Sequence, residues 1–217
     1  MLGVVAWRVE VLDHRVVKEL DALAQDARQR FLRISELIEE HGLSAMREPH
    51  VKHLEGKLWE MRMKGRDGVA RAIYVTARGE RVVVVHAFHQ ANPEDAAERI
   101  EDRESAHEGG DVMSVSLKKI ARRWLKEPGF RQGYEALEEE FFVASLLITA
   151  RTRANLTQAE LAGRMGTSQS TIARLESGTA QPSLSTLKRL AQATGMRLKI
   201  SLEPRPRRKK QRRRRAA

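Results

Sequence analysis

The sequence predicts an α+β protein: a small antiparallel sheet with an N-terminal helical hairpin, then an all-α domain, then a disordered basic tail. Three observations support this fold class. Residues 58–89 contain three short stretches that predict strands, the last two rich in β-branched residues, separated by short turns. Residues 113–195 carry apolar residues at helical spacing. The last fourteen residues contain nine Lys or Arg and no Asp or Glu, so they cannot build a core.

The composition limits the classes of protein. At 217 residues the chain is long enough for two small domains, each with its own core. It contains no cysteine, which excludes disulfides, thiolate metal sites and a cysteine nucleophile. No stretch approaches the ~18–20 apolar residues of a membrane span, and charged residues interrupt the first thirty residues, where a secretory signal would lie. We therefore expect a cytoplasmic protein with no membrane partner.

The net charge of +11 is unevenly distributed. Residues 1–110 hold 17 Lys or Arg against 20 Asp or Glu, a net charge of −3. Residues 111–203 hold 14 against 9, a net charge of +5, and the last fourteen residues add +9. Such a tail attracts nucleic-acid phosphates without regard to sequence. The alternative is a solubilising end with no dedicated role.

Periodicity predicts the elements of the first domain in order. Residues 4–14 alternate and predict a strand. Residues 16–42 carry apolar side chains three and four apart, which predicts an amphipathic helix or helical hairpin ending at Gly42. Three strands with connections short enough for an antiparallel meander are predicted at 58–64, 69–77 and 81–89. Residues 93–107 predict an acidic helix with a proline at its start.

The stretch EGGD at 108–111 predicts the boundary between the domains. The predicted divisions are 1–107 (first domain), 108–112 (linker), 113–203 (second domain) and 204–217 (tail). Helices of the second domain are predicted near 115–126, 131–150, 157–165, 168–177 and 184–194. The alternating stretch MRLKISLE at 196–203 predicts a final strand, and Met113 is a candidate start of a formerly separate protein.

A helix-turn-helix is predicted at 157–178. Thr157 and Glu160 form a capping-box pattern, and Gly166 permits the tight turn before a second short helix. The N-terminal side chains of that second helix would enter the major groove of DNA. Its outward positions are Ser168, Gln169, Ser170 and Arg174. Gln makes two hydrogen bonds to adenine and Arg does so to guanine, whereas Ser is less selective.

The segment LTQAELAGRMGTSQSTIARLESGTAQPSLSTLKRLAQATG, residues 156–195, resembles the lambda-repressor/Cro-type helix-turn-helix family. The resemblance implies that Gln158 contacts a phosphate, that the four outward residues face bases, and that Gly178 and Thr179 lie near the DNA backbone. It also implies a homodimer on a palindromic operator. The alternative is a helical bundle that never touches DNA.

Basic residues and histidines in the first domain suggest a phosphate site. Arg62 and Lys64 share a strand face, Arg71 begins the next strand, and His86 and His89 lie near the end of the last. Cations there would stabilise the transition state of RNA cleavage, and a histidine would move a proton. The alternatives are solvated arginines and a histidine in the core. The core alternative is favoured for His86, which lies in VVVVHAF.

The order of these elements, and the segment HVKHLEGKLWEMRMKGRDGVARAIYVTARGERVVVVHAFHQANPEDAAERI at 50–100, resemble the phage-derived branch of the RelE/HigB-type toxins. The resemblance implies an mRNA endonuclease acting on the ribosome, with Arg62 and Arg71 at the positions of catalytic arginines. One departure is that His89 and Gln90 stand where the family has a lysine pair. The first domain is therefore expected to be inhibited or degenerate, with His89 as a possible substitute proton donor.

In HigB/HigA-type pairs, a toxin gene precedes a helix-turn-helix antitoxin, and residues 135–162 resemble such antitoxins. The chain is thus predicted to be a bacterial toxin–antitoxin fusion whose halves contact each other intramolecularly. Glu138, Glu139 and Glu140 either approach the arginines of the first domain or form a solvated charge cluster at a helix N-terminus.

Three functions follow from this organisation. The first is a DNA-binding autorepressor that carries a silenced endonuclease. The second is an active ribosome-dependent mRNA endonuclease released by proteolysis of the linker. The third is a transcription factor whose first domain only binds a partner. No cofactor and no metal are expected, because the seven histidines show no convincing ligand spacing.

Overall fold

The computed structural model describes residues 7–46, 48, 50–89 and 114–201. The strands are β1 (Arg8–Val11), β2 (Val51–His53), β3 (Leu58–Gly65), β4 (Gly68–Ala77), β5 (Arg81–His89) and β6 (Val115–Ser116). The helices are α1 (His14–Ala22), α2 (Gln25–His41), α3 (Leu117–Trp124), α4 (Phe130–Ala136), α5 (Glu138–Arg153), α6 (Gln158–Arg164), α7 (Gln169–Glu176) and α8 (Leu184–Thr194). A 3₁₀ turn spans Leu43–Ala45.

The α+β class is confirmed by a six-stranded sheet in the order β2-β3-β4-β5-β1-β6. Strands β3, β4 and β5 form the predicted antiparallel meander. The expectation of a wholly antiparallel sheet is wrong at β1, which pairs with β5 in parallel. A long crossover through the helical hairpin separates β1 from the meander, and such a crossover permits parallel pairing.

The helical hairpin is confirmed, and local capping explains where its helices lie. The Asp13 carboxylate accepts hydrogen bonds from the amides of Arg15 and Val16, which starts α1. Helix α2 ends at Gly42, which has φ +78°. A Cβ at this glycine would lie 2.8 Å from the Trp7 indole nitrogen, so the close approach of Trp7 also requires glycine.

The second half departs from the predicted secondary structure at both ends. Residues 115–116, predicted as helix, form β6 and pair antiparallel with β1, so that they extend the sheet of the first half. Residues 196–201 form no strand, because α8 ends at Gly195 and no strand edge within the described ranges pairs with them. The helix predicted at 93–107, the linker and the tail lie outside the described residues.

The described residues form two hydrophobic cores, and the larger one contains residues from both halves of the chain. The hairpin and sheet contribute buried residues such as Phe31, Ile38 and Met61. Trp124 and Phe130 from the second half belong to the same core. The smaller core lies among the helix-turn-helix elements and contains Leu147, Leu161, Ile172, Leu175 and Leu190.

No helix among the described residues combines the length and apolar character needed to cross a lipid bilayer.

Candidate nucleic-acid interfaces

The helix-turn-helix forms as its capping pattern predicts. The Thr157 amide donates to Glu160 Oε2 at 2.7 Å, and the Glu160 amide donates to Thr157 Oγ1 at 3.2 Å. Hydrogen bonds donated by the Thr157 amide and hydroxyl to the Glu160 carboxylate lower the pKa of Glu160. Gly166 has φ +61° in the turn, and the Ser168 hydroxyl caps α7. The second helix therefore begins where the motif places it.

The outward face of α7 is open. Ser168, Gln169, Ser170, Thr171 and Arg174 are exposed, as is Thr179 in the turn that follows the helix. Ile172 and Leu175, on the other face, are 2% and 5% exposed and belong to the smaller core. The Ser168 hydroxyl lies 2.9 Å from both Ser170 Oγ and Thr171 Oγ1, so the N-terminal turn is already ordered. This arrangement presents the predicted base-facing side chains to a partner.

Gln158, predicted to contact a phosphate, lies in a buried polar cluster. Its Nε2 donates to Glu176 Oε2 at 2.9 Å, and the residue is buried. Arg151 Nε donates to Glu176 Oε1 at 2.6 Å, and both of those residues are buried as well. In this conformation the Gln158 carboxamide is turned inward and joins α6 to the end of α7.

The sheet brings Arg62 and Arg71 together. They lie directly opposite each other on β3 and β4, so their side chains project from the same face. Their side chains are 32% and 37% exposed. Met61 and Met63 project from the other face and are fully buried. The two arginines therefore lie, partly exposed, on the face of the sheet opposite to the buried methionines.

Strand register adds three more charged residues to this face. Glu60 and Lys64 share it because side chains alternate along β3, and Lys52 on β2 lies opposite Glu60. The resulting arginine face consists of Lys52, Glu60, Arg62, Lys64 and Arg71. Lys52 was missed in the sequence because only the pairing of β2 with β3 shows which way it projects. Lys52 adds a cation at the β2 edge of the sheet, whereas the lysine pair of the toxin family would stand at the end of β5.

Glu60 joins the two arginines. Its Oε2 accepts from Arg62 Nε at 2.5 Å, and its Oε1 accepts from Arg71 Nη1. The Glu60 side chain is only 4% exposed. A carboxylate shared by two guanidinium groups fixes their orientation and cancels part of their charge. Four cations and one carboxylate leave the arginine face net positive.

The two histidines project from opposite faces of the sheet, and His86, which pairs with Ile73 two residues from Arg71, projects from the face of the arginines. His86 is buried, as the core interpretation holds, and its Nδ1 lies 2.8 Å from Glu19 Oε2. His89 is exposed and pairs with Ala70, the neighbour of Arg71. Because adjacent residues in a strand project from opposite faces, His89 lies on the other side of the sheet from Arg71.

The two halves meet along α2. Arg28 forms a bidentate ion pair with Glu127: Nη1 donates to Oε1 at 3.1 Å, and Nη2 donates to Oε2 at 2.9 Å. Arg30 Nη1 lies 2.6 Å from Glu140 Oε1. Glu138 and Glu139 are exposed, so the acidic cluster is solvated except for Glu140, whose partner is an arginine of α2 rather than one of the arginine face.

Among the residues that the structure places, no group of three or more His, Asp or Glu side chains is arranged to hold a metal ion.

Comparison with known proteins assigns a family resemblance to each half. Residues 18–104 match the family model described as phage derived protein Gp49-like, and residues 147–200 match the helix-turn-helix model. The second match confirms the predicted helix-turn-helix. The first supports the phage-derived, toxin-like character of the first half, without distinguishing the RelE/HigB type.

Two curated relatives, from the CDC 1551/Oshkosh and ATCC 25618/H37Rv strains of Mycobacterium tuberculosis, are both named antitoxin HigA1. Each is 38% identical to this chain over 84 residues, which is 39% of this chain and 56% of the relative. The chain thus spans little more than half the length of the curated relatives it matches. It combines a segment similar to the Gp49-like phage-derived proteins with a helix-turn-helix segment, and it is similar in part to the HigA1 antitoxins.

Proposed function

We propose that the chain is a toxin–antitoxin fusion that acts as a sequence-specific DNA-binding autorepressor and carries a restrained mRNA endonuclease domain. The observation that supports repression best is the open face of α7, where Gln169 and Arg174 are exposed while Ile172 and Leu175 anchor the helix in the core. The similarity to the HigA1 antitoxins supports the same function. This proposal places Ser168, Gln169, Ser170 and Arg174 against bases and Thr179 near a phosphate. Gln158, predicted to contact a phosphate, is buried and donates to Glu176, so it is assigned no DNA contact.

The test of DNA reading uses the full chain. A duplex is selected from a random-sequence library with the wild-type protein, and its affinity is measured against an unselected duplex. Arg174→Ala should weaken binding to the selected duplex by roughly 10- to 100-fold, the cost of one base contact. Arg131→Ala, which removes an exposed arginine from α4, should leave the affinity unchanged. Failure to select any duplex would exclude the repressor function.

A homodimer is part of this proposal, because a helix-turn-helix usually reads two half-sites. The partner is a second copy of the chain, seated at an apolar groove of about 470 Å³ between α5 and α8. Phe142 and Leu146 line it and are 67% and 43% exposed. Phe142→Glu should convert a dimer into a monomer in sedimentation experiments and weaken binding to the selected duplex. A wild-type chain that sediments as a monomer on DNA would contradict this part.

The arginine face supports the endonuclease component. Arg62 and Arg71 lie opposite each other with Lys52 and Lys64 on the same face, which suits a phosphodiester backbone better than the sequence suggested. His89 takes no part in this proposal because its side chain projects from the opposite face. The restraint is the packing of α3, α4 and α5 on the helical hairpin.

The endonuclease test compares two fragments in a bacterial host: residues 1–108, and residues 1–136, which retain the core contacts of Trp124 and Phe130. Growth arrest with cut messages, abolished by Arg71→Ala and relieved by co-expression of residues 112–217, would establish a restrained nuclease. Intact messages with folded fragments would leave a repressor with a degenerate nuclease domain.

A further inference from the structure

The C-terminal end of α7 is attached directly to the first half of the chain. The Ser177 carbonyl, at the C-cap of α7, lies 2.8 Å from His50 Nε2. A carbonyl can only accept, so Nε2 carries the proton of this hydrogen bond. His50 and Ser177 are 7% and 1% exposed, and the bond is therefore shielded from water.

Arg151 makes a second attachment at the same place. Its Nη2 donates to the Ala45 carbonyl at 2.8 Å and to Glu176 Oε2 at 3.1 Å. One guanidinium therefore holds the last residue of α7 and the 3₁₀ turn of the first half simultaneously. Because Arg151 and Glu176 are buried, loss of either partner would leave an uncompensated charge in the interior.

A third attachment lies one residue further along the chain. Gly178 packs so closely on Glu140 that a Cβ there would lie 2.3 Å from Glu140 Cγ. Glu140 is itself held by Arg30 of α2. The turn that follows α7 therefore packs on the Glu140 side chain, and Arg30 of the hairpin fixes the position of that side chain.

These three attachments form a closely packed contact region between the first half and the end of α7, called the joint below, and His50 connects it to the sheet. The His50 ring stacks on Phe141, with centroids 5.9 Å apart and planes inclined by 19°. The space left among these residues is about 10 Å³, at the lower limit for one water molecule. The His50 carbonyl accepts from the Arg62 amide at 2.8 Å. A single residue therefore contacts both the strand that carries Arg62 and the end of α7.

We propose that the first domain contributes to DNA recognition by holding α7 in position. His50 is the positioning residue that fixes α7 for binding to bases. The proposal rests on the DNA-binding function proposed above. Helix α7 has only eight residues, and a helix of that length is not stable without tertiary contacts. Anchoring its C-terminal end leaves less conformational freedom to be lost when its N-terminal side chains engage a duplex.

The test uses the full chain with three variants and the selected duplex. His50→Phe keeps a ring to stack on Phe141 but removes the N–H that binds Ser177. His50→Gln removes the ring but keeps an N–H donor of similar reach. His53→Ala is the matched control, because His53 is exposed on β2 and its Nε2 contacts only the local Gly56 carbonyl among the hydrogen bonds described.

His50→Phe should weaken binding to the selected duplex by roughly tenfold, within the usual range for coupling between two sites. Its binding to an unselected duplex should not change, because phosphate attraction does not require α7 to be held. His50→Gln should recover most of the loss, and His53→Ala should bind as wild type does. A folded His50→Phe variant with wild-type affinity would overturn the inference while leaving the DNA-binding function intact.

If His50→Phe does not fold, Arg30→Gln provides the same comparison. This change releases Glu140 from the position in which it contacts Gly178, and Arg30 is partly exposed, so the fold should tolerate it. A tenfold loss confined to the selected duplex supports the inference, and an unchanged affinity overturns it. If the wild-type chain selects no duplex, it is the proposed DNA-binding function that fails.

Discussion

At the scale of single residues, the pKa of His50 reports on its burial in the joint between the first half and the end of α7. Burial lowers the pKa of His50 to about 4 from its usual 6.5, so the ring is neutral in the folded protein near pH 7. The unfolded chain takes up a proton as the pH falls below 6.5, whereas the folded chain does so only near pH 4. This residue therefore supports stability above pH 6.5, and that support is lost between pH 6.5 and pH 4.

The expected loss over that window is about 3 kcal/mol in the free energy of unfolding. Urea denaturation of wild type and His50→Gln at several pH values between 7 and 4 measures it. Since carboxylates titrate equally in both proteins, the difference between the two curves isolates His50. Parallel curves would show that the pKa of His50 is the same in the folded and the unfolded protein.

A second prediction at the residue scale concerns Glu60. Glu60→Gln removes the only negative charge of the arginine face and frees N–H groups of Arg62 and Arg71. One more unit of net positive charge near a phosphate is worth about 1 kcal/mol, or roughly fivefold in affinity. Fluorescence anisotropy with a labelled single-stranded RNA at low salt should show this tightening. Glu55→Gln, an exposed change in the β2–β3 loop, should not. Equal affinities would mean that RNA does not contact the arginine face.

At the scale of elements, the turn after α7 predicts a contrast between two glycines. Gly178 and Gly166 have φ +71° and +61°, so alanine at either position costs roughly 1 kcal/mol of backbone strain. A Cβ at Gly166 meets nothing within 4 Å, whereas one at Gly178 collides with Glu140. Gly178→Ala should therefore destabilise the protein by roughly 1–3 kcal/mol more than Gly166→Ala does.

Thermal unfolding measures the two glycine variants, and Glu140→Ala provides the control. In a Glu140→Ala background the two alanine variants should have nearly the same effect, because the colliding atoms are gone. Equal destabilisation in the wild-type background would show that the turn moves away from α5 at little cost.

At the scale of the whole molecule, the large core predicts that the halves stay together after the chain is cut. Strand β6 pairs with β1, and the Trp124 indole donates to Asp21 Oδ1 at 2.7 Å from within the hairpin core. A protease site introduced between Gly109 and Gly110 should therefore yield two pieces that elute together in gel filtration. Release of a nuclease by linker proteolysis would then also require removal of residues 114–153.

Trp124→Ala is the control for this experiment. Loss of a buried tryptophan costs roughly 3–5 kcal/mol, so the cut variant should separate into two pieces. If the cut wild-type chain separates as well, the packing between the halves is too weak to act as the restraint proposed for the endonuclease.

Much of this protein was determined by sequence-local signals. Apolar spacing predicted the hairpin, the meander and the order of the later helices, and the Thr157–Glu160 capping box placed α6. The exposed side chains of α7 were identified from the same pattern, because a helix with a core on one side must present the alternate positions outward. These features depend on residues within one or two turns of each other, which is why a single sequence reveals them.

Tertiary structure alone decided how these elements meet. Whether Lys52 and His89 join Arg62 depends on strand pairing and on the alternation of faces, and a one-residue change of register would reverse both outcomes. The choice of Arg30 as the partner of Glu140, 110 residues away, has no local signature. The same holds for His50 and Ser177, which are 127 residues apart. Helix amphipathicity shows that a face is buried but not what covers it, and the packing of both cores settles that second question.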